Sequence, residues 1–147
     1  MSVKHLKFLT NCRYLDFAAQ EGNEDLVKQL LQNGCPVNVF DELGKTPLHY
    51  ASQEGHIAVM KLLIEMGADV NAHDESKIGD TPLGEVAGNC NFEVAKLLID
   101  AGANPTIPGW MQLTAIHRAK TRKKPEGKAV YQLLLDVTKK KFNYLEK

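Results

Sequence analysis

A chain of 147 residues with 18 basic and 18 acidic side chains carries no formal net charge, so no global field draws it to nucleic acid or to an anionic membrane. No apolar run is long enough to cross a bilayer, and the segment Met1 to Leu9 lacks the apolar core and small-residue cleavage site of a secretory signal. Cys12, Cys35 and Cys90 are odd in number and show no paired spacing, which suits reduced thiols, a cytoplasmic location and no metal site.

Residues 1–11 read as a helical turn or two over the start of the chain, with Phe8 and Leu9 as apolar cover. Arg13-Tyr14-Leu15-Asp16-Phe17-Ala18 opens a first helix. Asn23 caps a second, on which Leu26, Val27, Leu30 and Leu31 recur at helical spacing. Cys35 to Phe40 then leads into a first projecting loop. Thr46-Pro47 is a helix start: the hydroxyl accepts from free first-turn amides, and proline fits where an N–H would be unpaired anyway. Gly55 ends that helix, and the next carries Ile57, Val59, Leu62, Leu63 and Ile64 before Gly67 closes it in the left-handed conformation that glycine takes cheaply.

Thr81-Pro82-Leu83 opens a third pair. Its first helix contains Gly84 and Gly88, each about 1 kcal/mol less favourable than alanine, so it is predicted to be the least rigid; the glycines either clear room for a partner near the backbone or reflect relaxed drift. Val94 to Leu98 and Gly102 complete that pair. The next loop, Pro108-Gly109-Trp110-Met111-Gln112-Leu113, is unusually apolar. Thr114 starts a helix expected to run on through Lys124, with Pro125-Glu126-Gly127 as the connection to a last helix bearing Val130, Tyr131, Leu133, Leu134 and Leu135. Lys139-Lys140-Lys141 and Phe142-Asn143-Tyr144-Leu145 follow as a tail, either a helix extension or frayed.

The pairs copy one another. Gly22 recurs as Gly55 after 33 residues, Thr46 as Thr81 after 35, and Thr81 as Thr114 after 33, the two additional residues falling between Asp74 and Asp80. This period, with Thr46-Pro47-Leu48-His49-Tyr50-Ala51, resembles the ankyrin repeat over about residues 12–136. The resemblance implies an all-α ankyrin-repeat solenoid of stacked antiparallel helix pairs with projecting hairpin-like loops. One domain would span 1–147, with an N-terminal capping repeat at about 8–40, repeats at 41–73 and 74–108, a C-terminal cap at 109–138 and a tail at 139–147. It further implies that Thr46 and His49 hydrogen-bond backbone, pinning loop to helix and repeat to repeat, with His117 equivalent to His49. Asn71 resembles the asparagine hydroxylated in some eukaryotic ankyrin repeats; the alternative is an architectural loop asparagine.

By the same resemblance, the loops and adjoining inner-helix face form a groove for a partner protein. The candidate contact residues are Phe40, Glu42, Leu43 and Lys45 on the first loop, His73, Glu75, Lys77, Ile78 and Asp80 on the second, and Trp110, Met111 and Leu113 on the third. Tyr50, Gln53, Glu54, Asn89, Arg118 and Arg122 join them on the inner helices. Trp110 and Met111 either anchor a partner or fold down as part of the cap. The basic run Arg118, Lys120, Arg122, Lys123, Lys124 and Lys128 offers phosphate or acidic-protein contacts, or is solvated charge. Gly44-Lys45-Thr46 matches three letters of a phosphate loop without the earlier glycine, preceding strand or long following helix, and the carboxylates are placed on exposed helix faces. No catalytic residue, cofactor, metal or small-molecule substrate is expected. The predicted function is non-enzymatic binding of another protein, as a stand-alone inhibitor or adaptor. The alternatives are a nucleic-acid-associated factor using the basic cap and a structural subunit of a larger assembly.

Overall fold

A computed structural model describes residues 12–77 and 79–142. The expectations for residues 1–11 with Phe8 and Leu9, for Ile78, and for the tail beyond Phe142 lie outside the described residues. The helices are α1 (Tyr14–Glu21), α2 (Glu24–Gln32), α3 (Pro47–Glu54), α4 (Ile57–Glu65), α5 (Pro82–Val86), α6 (Phe92–Asp100), α7 (Ala115–Lys120) and α8 (Pro125–Lys141), with no strand among the described residues. Inner helices α1, α3, α5 and α7 pack in succession, as do outer helices α2, α4, α6 and α8, and each inner helix also packs on its own outer partner. This is the all-α solenoid of antiparallel pairs that the repeat pattern implied.

Local chemistry sets the helix ends. Asn23 and Asn91 accept from the amides of Leu26 and Val94 at 3.1 and 2.9 Å, and Thr81 accepts from Gly84 at 3.0 Å. Gly22 and Gly55, at φ 72° and 73°, turn inner helix into outer helix. The faces so aligned bury one continuous core along the stack, including Val27, Leu48, Met60, Leu63, Leu83, Leu98, Ile116 and Leu134. Asparagines stitch one repeat to the next beneath the loops. Asn38 donates to the Gly67 carbonyl and accepts from the Asp69 amide; Asn71 does the same with Gly102 and Asn104. Asn71 is therefore an architectural bridge with both amide atoms engaged. Asn104, in the equivalent position of the next pair, instead accepts from the amide and hydroxyl of Thr106.

Four expectations change. Helix α5 has only 5 residues against 8 in α1 and α3, and Gly88 falls beyond its end. Helix α7 stops at Lys120 instead of reaching Lys124, because Pro125 restarts the chain as a new helix and Pro125-Glu126-Gly127 is the first turn of α8, not a connection. Gly127 is needed in that turn: a Cβ there would lie 2.4 Å from Cβ of Arg122. Helix α8 then runs 17 residues and takes in Lys139, Lys140 and Lys141. Finally, Cys12 and Cys35 are joined by a disulfide, tying the start of α1 to the loop after α2, while Cys90 is a buried free thiol. Stacking brings together two cysteines separated by 23 residues, so the reading of unpaired thiols, and the argument from it to a reducing compartment, lapses.

Candidate functional site

The platform for the loops is set by one position on each inner helix. His49 is fully buried. Its Nδ1 accepts from the Thr46 amide at 3.0 Å, so the ring proton is on Nε2, which donates to the Asp80 carbonyl at 2.8 Å. Burial holds the ring below the usual imidazole range and keeps it neutral. His49 thus fastens its own loop and the following one, as implied. His117 receives the Thr114 amide at 3.2 Å but is exposed. The same slot holds Gly84 in α5 and Asp16 in α1. Burial, with the charge of Asp41 beside it, pushes the Asp16 carboxyl up to about 7. Asp16 is half-buried and so departs from the expectation that the carboxylates sit on exposed faces.

The first finger, residues 41–45, is closed by the Asp41 amide on the Lys45 carbonyl, with Gly44 in the left-handed region at φ 76°. Asp41 Oδ1 accepts from the amides of Leu43 and Lys45, both at 2.9 Å, and Oδ2 accepts from the Tyr50 hydroxyl. Burial opposes ionisation of Asp41, but the bonds from Tyr50 and the two amides outweigh it and hold the carboxyl below its ordinary value. On the second finger, Asp74 accepts from Ser76, and Lys77 Nζ reaches the Glu42 carbonyl at 2.9 Å, linking the first two fingers. His73 is half-buried, with Nδ1 on the Asn71 carbonyl at 2.9 Å and Nε2 3.5 Å from Glu75.

The third finger is built differently. Trp110 to Leu113 form a tight turn in which the Leu113 amide donates to the Trp110 carbonyl. Met111 and Gln112 at its centre stand at φ 59° and 60°, the primed-turn geometry that glycine or asparagine ordinarily supplies. A pair from the stack holds this turn. Arg118 donates through both terminal nitrogens to Asp80, at 3.1 and 2.9 Å, and to the Gly84 carbonyl at 2.7 Å, while Asp80 Oδ1, already bound by one of those nitrogens, also receives the Trp110 amide at 2.9 Å. The side chains of Arg118 and Asp80 are 17% and 11% exposed. Gly109 makes this possible, since a Cβ there would lie 1.8 Å from Asp80 Oδ1. Thus held, Trp110 and Met111 point away from the core, 58% and 68% exposed.

An equivalent pair joins the preceding repeats. Lys45 lies just before Thr46, and Glu85 four residues after Thr81; Lys45 Nζ is 2.8 Å from Glu85. Asp80 and Arg118 occupy the same two places one repeat later, with the signs exchanged. Asp80 and Arg118 are therefore internal staples, not free contact groups. Arg122 likewise turns inward, reaching the Ala87 carbonyl at 3.4 Å, so the basic run keeps Lys120, Lys123, Lys124 and Lys128 as its exposed side chains. The space expected beside Gly84 and Gly88 is taken up by Arg118, whose Cβ lies 4.0 Å from where a Gly88 Cβ would stand.

The remaining candidates separate into groups. Phe40, Glu42, Leu43 and Lys77 gather around one opening at the first finger. Gln53, Glu54 and Asn89 line a cleft of about 280 Å³ at the far ends of the inner helices. Lys45 and Tyr50 lie between, the ammonium 5.4 Å from the ring centre. Trp110, Met111 and Leu113 stand apart on the third finger. Asp16, Asp41 and the exposed Tyr14 and Phe17 were not anticipated; Phe17 could have been found, since it aligns with Tyr50.

No helix among the described residues is long and apolar enough to cross a membrane. A family model described as "Ankyrin repeats (3 copies)" matches residues 10–74, and one described as "Ankyrin repeats (many copies)" matches residues 50–99. No curated protein matches the chain. The stacked helix pairs, the Thr46–His49 fastening and these two matches agree: the chain belongs to the ankyrin-repeat family, whose members generally serve as non-enzymatic protein-interaction modules.

Proposed function

We propose that this protein binds a partner protein through its finger loops and inner-helix face, with the third fingertip as the anchor, and acts by masking or tethering that partner as an inhibitor or adaptor. The observation that carries the reading is the third finger. Two large apolar side chains are held in solvent on a turn whose central residues, Met111 and Gln112, adopt a conformation unfavourable for non-glycine residues. Strain of this kind, at about 1–3 kcal/mol per residue, persists where the surroundings impose it and clusters at functional positions. Tryptophan and methionine are also the side chains enriched at interface centres. A prepositioned turn presents them with little ordering penalty on binding.

The test is capture of partners from native lysate by the wild type and by a Trp110/Met111/Leu113 triple-alanine variant, after circular dichroism has shown the variant folded. Loss of a specific captured protein by the variant is the expected result. Equal capture by both moves the contact away from the third finger.

A further inference from the structure

The start of α1, the loop after α2 and the first finger enclose an open cavity of about 1020 Å³. Pro36, Val39, Phe40 and Leu43 supply apolar walls, and Asp16 and Asp41 both border the space. Val39 and Leu43 are 52% and 54% exposed. We propose that this cavity seats a lysine or arginine side chain of the partner protein, its cation between Asp16 and Asp41 and its flanking apolar residues against Phe40 and Leu43. The proposal rests on the reading that the chain binds a protein, and adds the chemistry of what enters the first finger.

Charge is the deciding argument. Asp41 is fixed and ionised: two amides and the Tyr50 hydroxyl bind its oxygens. Asp16, in the slot that His49 fills one repeat later, has no ion pair among the described residues. A carboxylate in that slot cannot donate to a carbonyl as His49 does, and it faces a second carboxylate instead. Burial, and the charge of Asp41 beside it, raise the free energy of an ionised Asp16 until a cation enters. Lys45 helps to hold Asp41 ionised, but no neighbouring cation among the described residues pairs with Asp16. Lys45 is engaged by Glu85 at 2.8 Å, Lys77 by the Glu42 carbonyl at 2.9 Å, and Arg13 is exposed at the edge of the opening. Glu42 and Tyr50 complete the titratable surroundings. A metal ion fits less well than an organic cation, since no group of three or more possible ligands is found among the described residues. The long stem of lysine or arginine also uses the apolar walls, which a bare ion does not.

The test titrates the full chain with N-acetyl-leucyl-arginyl-leucinamide at pH 7.5, followed by amide NMR, with the citrulline peptide as its neutral isostere. The arginine peptide is expected to shift the amides of Asp16, Phe40, Asp41 and Leu43, and to bind about tenfold more tightly than the citrulline peptide. Asp16→Asn should remove most of that preference, Leu43→Ala should weaken both peptides several-fold, and Met66→Ala, distant on the outer side, should change neither. Binding should weaken as the pH is lowered to 5.5 and Asp16 takes up a proton. Equal affinity for the two peptides, or shifts confined to other residues, would overturn the proposal. So would binding seen only after removal of residues 1–11, which would make that segment, with Lys4 and Lys7, the occupant. If the peptides fail while capture still depends on the third fingertip, the cavity proposal alone falls; the reverse result removes the fingertip from the account.

Discussion

The first and third fingers have the same task in the fold and opposite construction. In the first, a glycine occupies the left-handed position and the carboxylate of Asp41, within the finger, binds its amides. The third has Met111 and Gln112 in left-handed positions, and the carboxylate that holds it, Asp80, comes from the preceding repeat and is gripped by Arg118 on the next helix. The first finger is thus closed chiefly by bonds among its own residues, with Tyr50 and Lys77 added from outside. The third is imposed by the stack. The comparison teaches that exposure of Trp110 and Met111 follows from a built support, and that support is the part open to attack by mutation.

The largest effect is expected from Arg118→Ala. It leaves Asp80 largely buried without its cation and is expected to lower stability by about 3 kcal/mol, measured by urea denaturation, with faster amide exchange from Trp110 to Leu113. A reductant should act at the opposite end. Opening Cys12–Cys35 should lower stability by about 3 kcal/mol on chain-entropy grounds, with the loosening confined to the first repeat in hydrogen exchange. An effect spread evenly over both ends in either experiment would erase the contrast. A mirrored pair of substitutions sharpens it. Gly44→Ala, at φ 76° and with Cβ atoms of Asp74 and Lys77 3.2 Å away, should lose about 1–2 kcal/mol. Gln112→Gly should gain about 1 kcal/mol by relieving the same strain. A further contrast is in pH dependence. The Asp16 carboxyl is raised from its ordinary 3.8 to about 7, so the folded state holds the proton more tightly, and stability should decline as the pH rises through that window. His49 has the opposite sign: its depressed value makes stability fall as the pH drops below the ordinary 6.5. Asp16→Asn should remove the first slope in thermal melts and leave the second.

Much of the scaffold was legible because its signals are local. Asn23, Thr46-Pro47, Gly55 and Gly67 each act within a few residues, and helix ends follow from them. The role of His49 was readable through the family resemblance. What could not be read was what the stack brings together. Arg118 and Asp80 stand 38 residues apart, and each alone looks like surface charge. Only their alignment with Lys45 and Glu85, with signs reversed, carries the hint. The lysine-rich stretch after Arg118 has the propensity to continue a helix, yet Pro125 restarts the chain. Asp16 was hidden for a related reason: its importance lies in standing where another repeat has histidine.

Trp110 is the chain's one tryptophan, so its labelling gives a single reporter at the fingertip. The most direct measurement is ¹⁹F NMR of the chain carrying 5-fluorotryptophan, recorded in H₂O and D₂O, free and with the captured partner. The account predicts a solvent isotope shift in the free protein that is lost, with movement of the resonance, when the partner binds. A complex that forms while the resonance and its isotope shift stay unchanged would contradict the claim that the third fingertip is the anchor.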